Sequence, residues 1–228
     1  MGVVAANNYL EIIEDLTPGE PAIFHNVSWQ EYEQLLDEMI DRSGVRLSYD
    51  EGTLEIMTIS TEHDFYEDLL QDLVRLLSLR LKFRFRSFGR ATMKKSKVQK
   101  GKEPDGCFFI KSCDLIGRRK SLDFENDPPP DIAVEIDLST KSIPKLPIYR
   151  ALRVPEVWIY NGRVLTIYRL GDQGYVSVER SEELPALTSQ LLTNFLKDAE
   201  ETDDDNQLLQ GYVEIILQSR KSSQYRER

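Results

Sequence analysis

Cysteine and histidine are the scarce residues of this chain. Its 228 residues include only Cys107 and Cys113, and only His25 and His63. Two cysteines cannot build a disulfide framework or a four-ligand zinc site, so reduced thiols are expected. Two histidines exclude a multi-histidine centre, and any metal must be held mainly by carboxylates. No run approaches the roughly 20 apolar residues that span a bilayer. The opening Met1-Gly-Val-Val-Ala-Ala-Asn-Asn8 lacks the basic stretch and long apolar core of an export signal. The expectation is a cytoplasmic protein with no membrane partner. An apolar fraction of 40% with 9% aromatics argues against wholesale disorder and for one substantial core.

Positive charge is also in deficit, and the net charge is -10. Its distribution is uneven: Arg80 to Lys102 carries ten Lys/Arg and no Asp/Glu. A basic segment on an acidic body can attract a phosphate backbone locally. A solvated strand and loop is the bland reading, and composition does not choose between them.

The pattern along the chain is mixed. A lead-in, 1–24, ends near the Pro-Gly-Glu-Pro break at 18–21. Ser28-Trp-Gln-Glu31 has capping-box spacing and opens a helix. Val45–Asp50 and Thr53–Thr58 alternate on either side of Glu51-Gly52, a hairpin signal. A helix from Glu62 to Leu79 carries a leucine stripe. Leu81–Arg86 alternates with period two and reads as a strand, with Lys82, Arg84 and Arg86 on one face. Asp105–Ile110 and Asp131–Leu138 read as strands, the second almost continuously apolar and therefore central. Residues 111–130 read as a loop. A helix over Pro144–Arg153, a three-strand meander with Asn161-Gly162 at one turn, and a helix at 188–199 complete the main body. A charged helical tail follows from 200 to 228.

Three features carry chemistry. Glu103-Pro104-Asp105 sets an aspartate at a strand entrance behind a rigid proline. Asp131, Glu135 and Asp137 share one face of the central strand by parity. Three carboxylates on an apolar strand need protonation, solvation or a cation among them, and oxygen donors without histidine or cysteine suit Mg²⁺ or Mn²⁺. Lys145, one turn into the next helix, can reach back toward the strand. Taken singly, each of these has an ordinary structural explanation as a turn, cap or surface charge.

The segments Glu103–Ile110, Pro129–Ser139, Lys145–Tyr149 and Arg153–Trp158 together resemble the Uma-type family of endonuclease-like proteins, within the PD-(D/E)XK superfamily. Trp29–Tyr32, Gly52–Met57, Glu62-His63 and Gly162–Tyr168 add to the resemblance, which covers about residues 25–195. It implies an α/β, restriction-endonuclease-like fold over 25–199: a mixed central sheet flanked by helices, with an N-terminal hairpin and a C-terminal helical tail. It further implies a Mg²⁺- or Mn²⁺-dependent endonuclease acting on DNA, with Asp105 and Glu135 as metal ligands and the Ile136 carbonyl as a further donor. The superfamily's lysine belongs two residues after Glu135, where this chain has Asp137. Lys145 is the expected substitute.

An extra acid is expected on the preceding helix. Glu62, Asp64 and Glu67 compete, and Glu67 is favoured by its place at the edge of the apolar stripe. His63 reads as a structural histidine rather than a general base. Lys82, Arg84, Arg86, Arg90, Lys94 and Lys95 are candidate phosphate contacts. A homodimer would bring two sites to two strands. The alternative class is a catalytically silent nucleic-acid-binding or protein-interaction module that keeps the fold, and RNA stays open as a substrate.

Overall fold

The computed structural model describes residues 6–40, 42, 44–89, 91–139 and 141–226. Two sheets organise it. The first is antiparallel, in the order β1 (Pro21–His25), β3 (Thr53–Thr58), β2 (Val45–Asp50), β6 (Lys100–Lys102) and β5 (Met93–Lys95). The second has the order β11 (Gly174–Val178), β10 (Leu165–Gly171), β9 (Glu156–Tyr160), β8 (Ile132–Ile136), β7 (Gly106–Phe109) and β4 (Arg86–Ser87). It is mixed: β8 and β9 run parallel and are joined through helix α5 (Lys145–Leu152), while its other neighbours are antiparallel.

Side-chain parity on β8 divides the core. Ile132, Val134 and Ile136 face the apolar layer of α3 (Thr61–Leu81), α6 (Ser189–Glu200) and α7 (Asp205–Arg226). Ala133 faces the other layer, with Ile148, Tyr149 and Leu152 of α5 and Ile116 of the short α4 (Cys113–Ile116). Both faces of the strand are buried, which is why its sequence runs apolar rather than alternating. A third core joins α1 (Ala6–Asp15) and α2 (Trp29–Glu38) to the first sheet. Both cysteines are free and buried.

Local signals account for several boundaries. The Ser28 hydroxyl accepts from the Glu31 amide and Glu31 accepts from Ser28 N, closing the capping box at the start of α2. Glu51 and Gly52 both take positive φ, as a two-residue hairpin with the strands' own twist requires. Thr188 caps α6 through the Leu191 amide.

Two expectations need correction, the strand at 81–86 and the loop at 111–130. Leu81–Arg86 is not a strand: α3 continues through Leu81, one turn beyond Leu77 on the same stripe, and Lys82 closes it in the left-handed region at φ 61. Only Arg86 and Ser87 pair with β7. In the lead-in, α1 packs in the third core and β1 pairs with residues 53–57 of β3. The stretch 111–130 contains α4 as well as loop.

Candidate active site

The site lies where the chain crosses from one sheet to the other. Lys102 ends β6 in the first sheet, and four residues later Gly106 begins β7 in the second. Glu103 fastens this crossing: its backbone N–H reaches the Leu47 carbonyl at 3.1 Å, and its carboxylate accepts from Leu47 N–H at 2.9 Å and from the Thr92 hydroxyl at 2.7 Å. Pro104 removes one soft dihedral from the step. Asp105 then donates its N–H to the Val134 carbonyl at 3.1 Å, and its Oδ2 accepts from Ile136 N–H at 2.7 Å. Gly106 pairs with Val134, so continuing that register sets Asp105 opposite Glu135, both facing α5.

Glu135 is the centre of the cluster and 1% exposed. Its Oε2 is 3.0 Å from Lys145 Nζ and 3.3 Å from Lys102 Nζ, and its Oε1 accepts from the Tyr149 hydroxyl. Lys145 Nζ also lies 3.1 Å from Asp137 Oδ1. Lys145 begins α5, and the segment before it is tied to the first sheet where Ile143 N–H donates to Glu55 at 2.8 Å. Glu55 in turn accepts from the Ser48 hydroxyl at 3.1 Å. Elements of both sheets therefore fix the lysine that meets the acids of β8.

The electrostatics follow from the geometry. Burial and the neighbouring Glu135 charge push the Asp105 carboxyl above the usual range, against the pull of Lys102, Lys145 and the Ile136 amide. Burial also acts to raise Glu135, but the two ammonium groups and the Tyr149 hydroxyl together outweigh it and hold Glu135 below the usual range. Burial acts to lower the Lys145 pKa, but Glu135, Asp137 and Asp105 together outweigh it, raise the pKa and keep Lys145 an ammonium.

These residues fit a hard divalent cation in a limited sense. Two opposed, buried carboxylates, one of them disfavoured as an anion by the other, form a set that a cation would stabilise. Among the described residues no group of three or more His, Cys, Asp or Glu is arranged to hold a metal ion. Asp105 and Glu135 would thus supply two oxygens, and water, carbonyl and substrate oxygens the remainder, which suits an ion that retains its hydration.

The other expected residues are placed as follows. Asp131 shares the parity of Glu135 but lies four residues earlier, roughly 13 Å along the strand. Its Oδ2 accepts from Ile110 N–H at 2.5 Å, Ser112 N–H at 3.0 Å and the Ser112 hydroxyl at 2.8 Å, which pins the 111–130 excursion. Glu67 is buried on α3 and approaches β7 from the opposite face, its carboxylate against the Cα of Gly106. Gly106 is the residue after Asp105, so Glu67 meets β7 one position from the pair and from its other face. His63 is buried at the start of α3, its Nδ1 2.7 Å from the Ser60 hydroxyl.

Much of the basic segment is engaged internally. Arg84 pairs with Asp114, and Lys94 lies 2.7 Å from Glu33. Arg86 donates to the carbonyls of Gly117 and Arg119 and stacks over Phe88 at 4.6 Å. Lys82 is exposed and Lys95 half-buried, whereas Arg90 lies outside the described residues. The residue that sequence reasoning missed is Lys102, 2% exposed and in contact with Glu135. Its signal was its place three residues before Asp105, hidden among nine other basic residues.

A mixed α/β fold with a buried centre of acids and lysines, carried on the central strand, the strand before it and the helix after it, defines the class. A profile of the Uma2 family, described as "Putative restriction endonuclease", matches residues 29–199. The chain belongs to that family. Among solved structures it is similar to a "putative nuclease belonging to DUF820" from Anabaena variabilis ATCC 29413, at 18% identity and a TM-score of 0.44, over 70% of this chain and 97% of that one. No curated protein matches it. Among the described residues no helix is long and apolar enough to cross a membrane.

Proposed function

We propose that this chain is a divalent-metal-dependent endonuclease that hydrolyses phosphodiester bonds of DNA, with Mg²⁺ or Mn²⁺ held by Asp105 and Glu135. The observation that carries the reading is the approach of Lys145 to Glu135 at 3.0 Å, on the face shared with Asp105. A divalent ion bound there supplies Lewis acidity toward a phosphate oxygen and lowers the pKa of a water. The rest falls to the protein. Glu135, held below the usual carboxylate range, stays ionised at neutral pH. Lys145 stays protonated between Glu135 and Asp137 and offers a fixed positive charge to an oxyanion developing on phosphorus. The Tyr149 hydroxyl and the Ile136 amide fix the two carboxylates in orientation.

We assign the path of the substrate backbone to a cavity at the end of α5. Lys100 stands two residues from Lys102 on the same strand, roughly 7 Å away, its ammonium paired with Asp50 and Glu51. It lines an open cavity of about 680 Å³ with Arg150 and Arg153 of the α5 end and the β10–β11 turn. We assign phosphate contacts to Arg150 and Arg153, together with Lys82 and Lys95 of the basic segment.

The test is relaxation of supercoiled plasmid with and without Mg²⁺. Wild type cuts only with the metal. Asp105→Ala, Glu135→Ala and Lys145→Ala each lose on the order of 100-fold or more. Equal cutting by all four proteins overturns the reading. The saturation of Glu135 by Lys102, Lys145 and Tyr149 favours a second reading, a silent DNA-binding module. DNA binding without cutting under any divalent metal selects it.

A further inference from the structure

Helix α5 has two faces with different work. Lys145, Ile148, Tyr149 and Leu152 are buried against the centre and its core. The outer face carries Leu146 with Arg150 and Pro147 with Ala151, each pair four residues apart and therefore adjacent. Arg84, Arg86 and Lys94 are engaged by partners within the chain. Arg150 and Arg153 differ from them: both are exposed, and among the described residues neither enters an ion pair. The Arg150 guanidinium extends over the β10–β11 turn, 3.5 Å from where a Cβ on Gly174 would stand. Between helix and turn lies the cavity of about 680 Å³. Its apolar lining is Leu146, Pro147, Ala151 and the half-buried Tyr175, whose hydroxyl is fixed on the Val154 carbonyl at 2.6 Å.

A helix dipole favours cations in the last turn, which by itself accounts for two arginines. It does not account for the hollow beside them. Sites for small organic groups enclose about 300–1,000 Å³ and are lined mainly by apolar side chains with a few polar ones, as here. Lys100 is neutralised by Asp50 and Glu51, and Asp172 lines a neighbouring hollow that shares both arginines. An anionic group therefore belongs at Arg150 and Arg153 on the side of Gln173. The outside of a duplex presents phosphate and sugar and would leave the apolar lining unused. An unpaired nucleotide presents a phosphate and a flat π-face, which every base has. Gln173 adds an amide donor and acceptor at the same opening. Arg150 follows Lys145 by five residues, about 8 Å along the helix axis. One rigid element thus carries both the buried lysine and the cavity.

We propose that this cavity takes one unpaired nucleotide of a DNA strand, its base against Leu146, Ala151 and Tyr175 and its phosphate between Arg150 and Arg153. The inference rests on the DNA-acting reading above and narrows its substrate to DNA with an unpaired stretch. Negative supercoiling favours strand separation, so the plasmid test above still offers such a stretch.

The experiment is fluorescence anisotropy of the full chain without divalent metal, which reads binding apart from cutting. The probes are a labelled oligothymidylate and a labelled blunt duplex of the same length, with thymidine monophosphate as competitor. Wild type is expected to bind the single strand on the order of ten-fold more tightly than the duplex, with the mononucleotide competing only in large excess. Ala151→Leu, which fills the cavity, and Gln173→Ala, on an exposed turn, are each expected to weaken the single strand by roughly three- to ten-fold and to leave the duplex unchanged. Arg150→Ala with Arg153→Ala should weaken both probes. Circular dichroism reports folding, and if Ala151→Leu does not fold, Gln173→Ala decides. Equal affinity of wild type for the two probes overturns the inference, as does wild-type affinity for the single strand in the folded variants. Displacement of the strand by an equal concentration of mononucleotide overturns it too. If wild type cuts plasmid with Mg²⁺ while the variants bind like it, the cavity inference alone fails. If the binding results hold and no divalent metal supports cutting, the metal-dependent reading alone fails.

Discussion

Replacing Glu135 with glutamine removes one charge and almost no volume, so it isolates the electrostatics of the cluster. The carboxylate meets ammonium groups at 3.0 Å and 3.3 Å and the Tyr149 hydroxyl. At an effective dielectric of 20 each ion pair is worth about 5 kcal/mol before desolvation is counted. The variant recovers much of this, because it no longer buries a carboxylate and no longer repels Asp105. What stays is the penalty of two buried ammonium groups facing a neutral amide, and breaking buried pairs in this way costs about 3–5 kcal/mol. For a chain of this size that lowers the melting midpoint by roughly 6–20 °C.

The pH dependence fixes the sign. Glu135 titrates below the usual range in the folded state, so its contribution is present above the unfolded-state pKa and is lost as pH falls through the lower folded value. The gap between wild type and Glu135→Gln should therefore be full at pH 7 and close in acid. Urea unfolding by circular dichroism at both pH values checks it. A loss below about 1 kcal/mol at pH 7 would refute the claim that this pair is buried and engaged. Adding Lys102→Met to Glu135→Gln should return at least about 1 kcal/mol, because the second change removes an ammonium the first left without its partner.

Asp105→Asn should act in the opposite direction. A carboxyl raised by burial and a like charge stabilises the fold below its unfolded-state pKa and ceases to do so as pH rises through the folded value. The asparagine variant should thus gain roughly 0.5–2 kcal/mol at pH 7 and nothing in acid, read from the same urea curves. Gly106→Ala should lose about 1–3 kcal/mol, since its Cβ would lie 2.5 Å from Glu67 Oε1, and Glu67→Ala in the same chain should restore part of it. Arg150→Ala with Arg153→Ala should reduce the salt slope of DNA binding by about 2. Arg86→Ala should leave that slope unchanged and lower stability by about 1–2 kcal/mol, because its guanidinium is committed to the Gly117 and Arg119 carbonyls.

Local rules were legible where one interaction decides the outcome. The capping box at Ser28, the Glu51-Gly52 turn and the apolar run of β8 each follow from short-range sterics or two-sided burial. The period-two reading of Leu81–Arg86 failed because Leu81 satisfies a helical stripe as well as a strand, and Lys82 can accept a left-handed cap. Parity on β8 set Glu135 and Asp137 on one face, but parity says nothing of distance, and Asp131 lies too far along the strand to join them. Lys102 was illegible for a different reason. Its role depends on β6 belonging to one sheet while Asp105 opens a strand of the other, and no local pattern reports a crossing between sheets.

Asp137 stands where the superfamily that the sequence resembles has lysine, and the geometry gives an aspartate there a physical role. A lysine at 137 would bring its own ammonium to Glu135 from the same strand. The aspartate instead adds a second carboxylate that holds Lys145 at 3.1 Å while Glu135 holds it at 3.0 Å. Two acceptors two residues apart on one face of the chain define the ammonium more closely than one acceptor could, at the cost of an additional negative charge. Lys102 offsets that charge through its contact with Glu135. Asp137, Lys145 on α5 and the buried Lys102 before Asp105 are therefore one electrostatic arrangement, in which both ammonium groups meet a carboxylate within 3.3 Å.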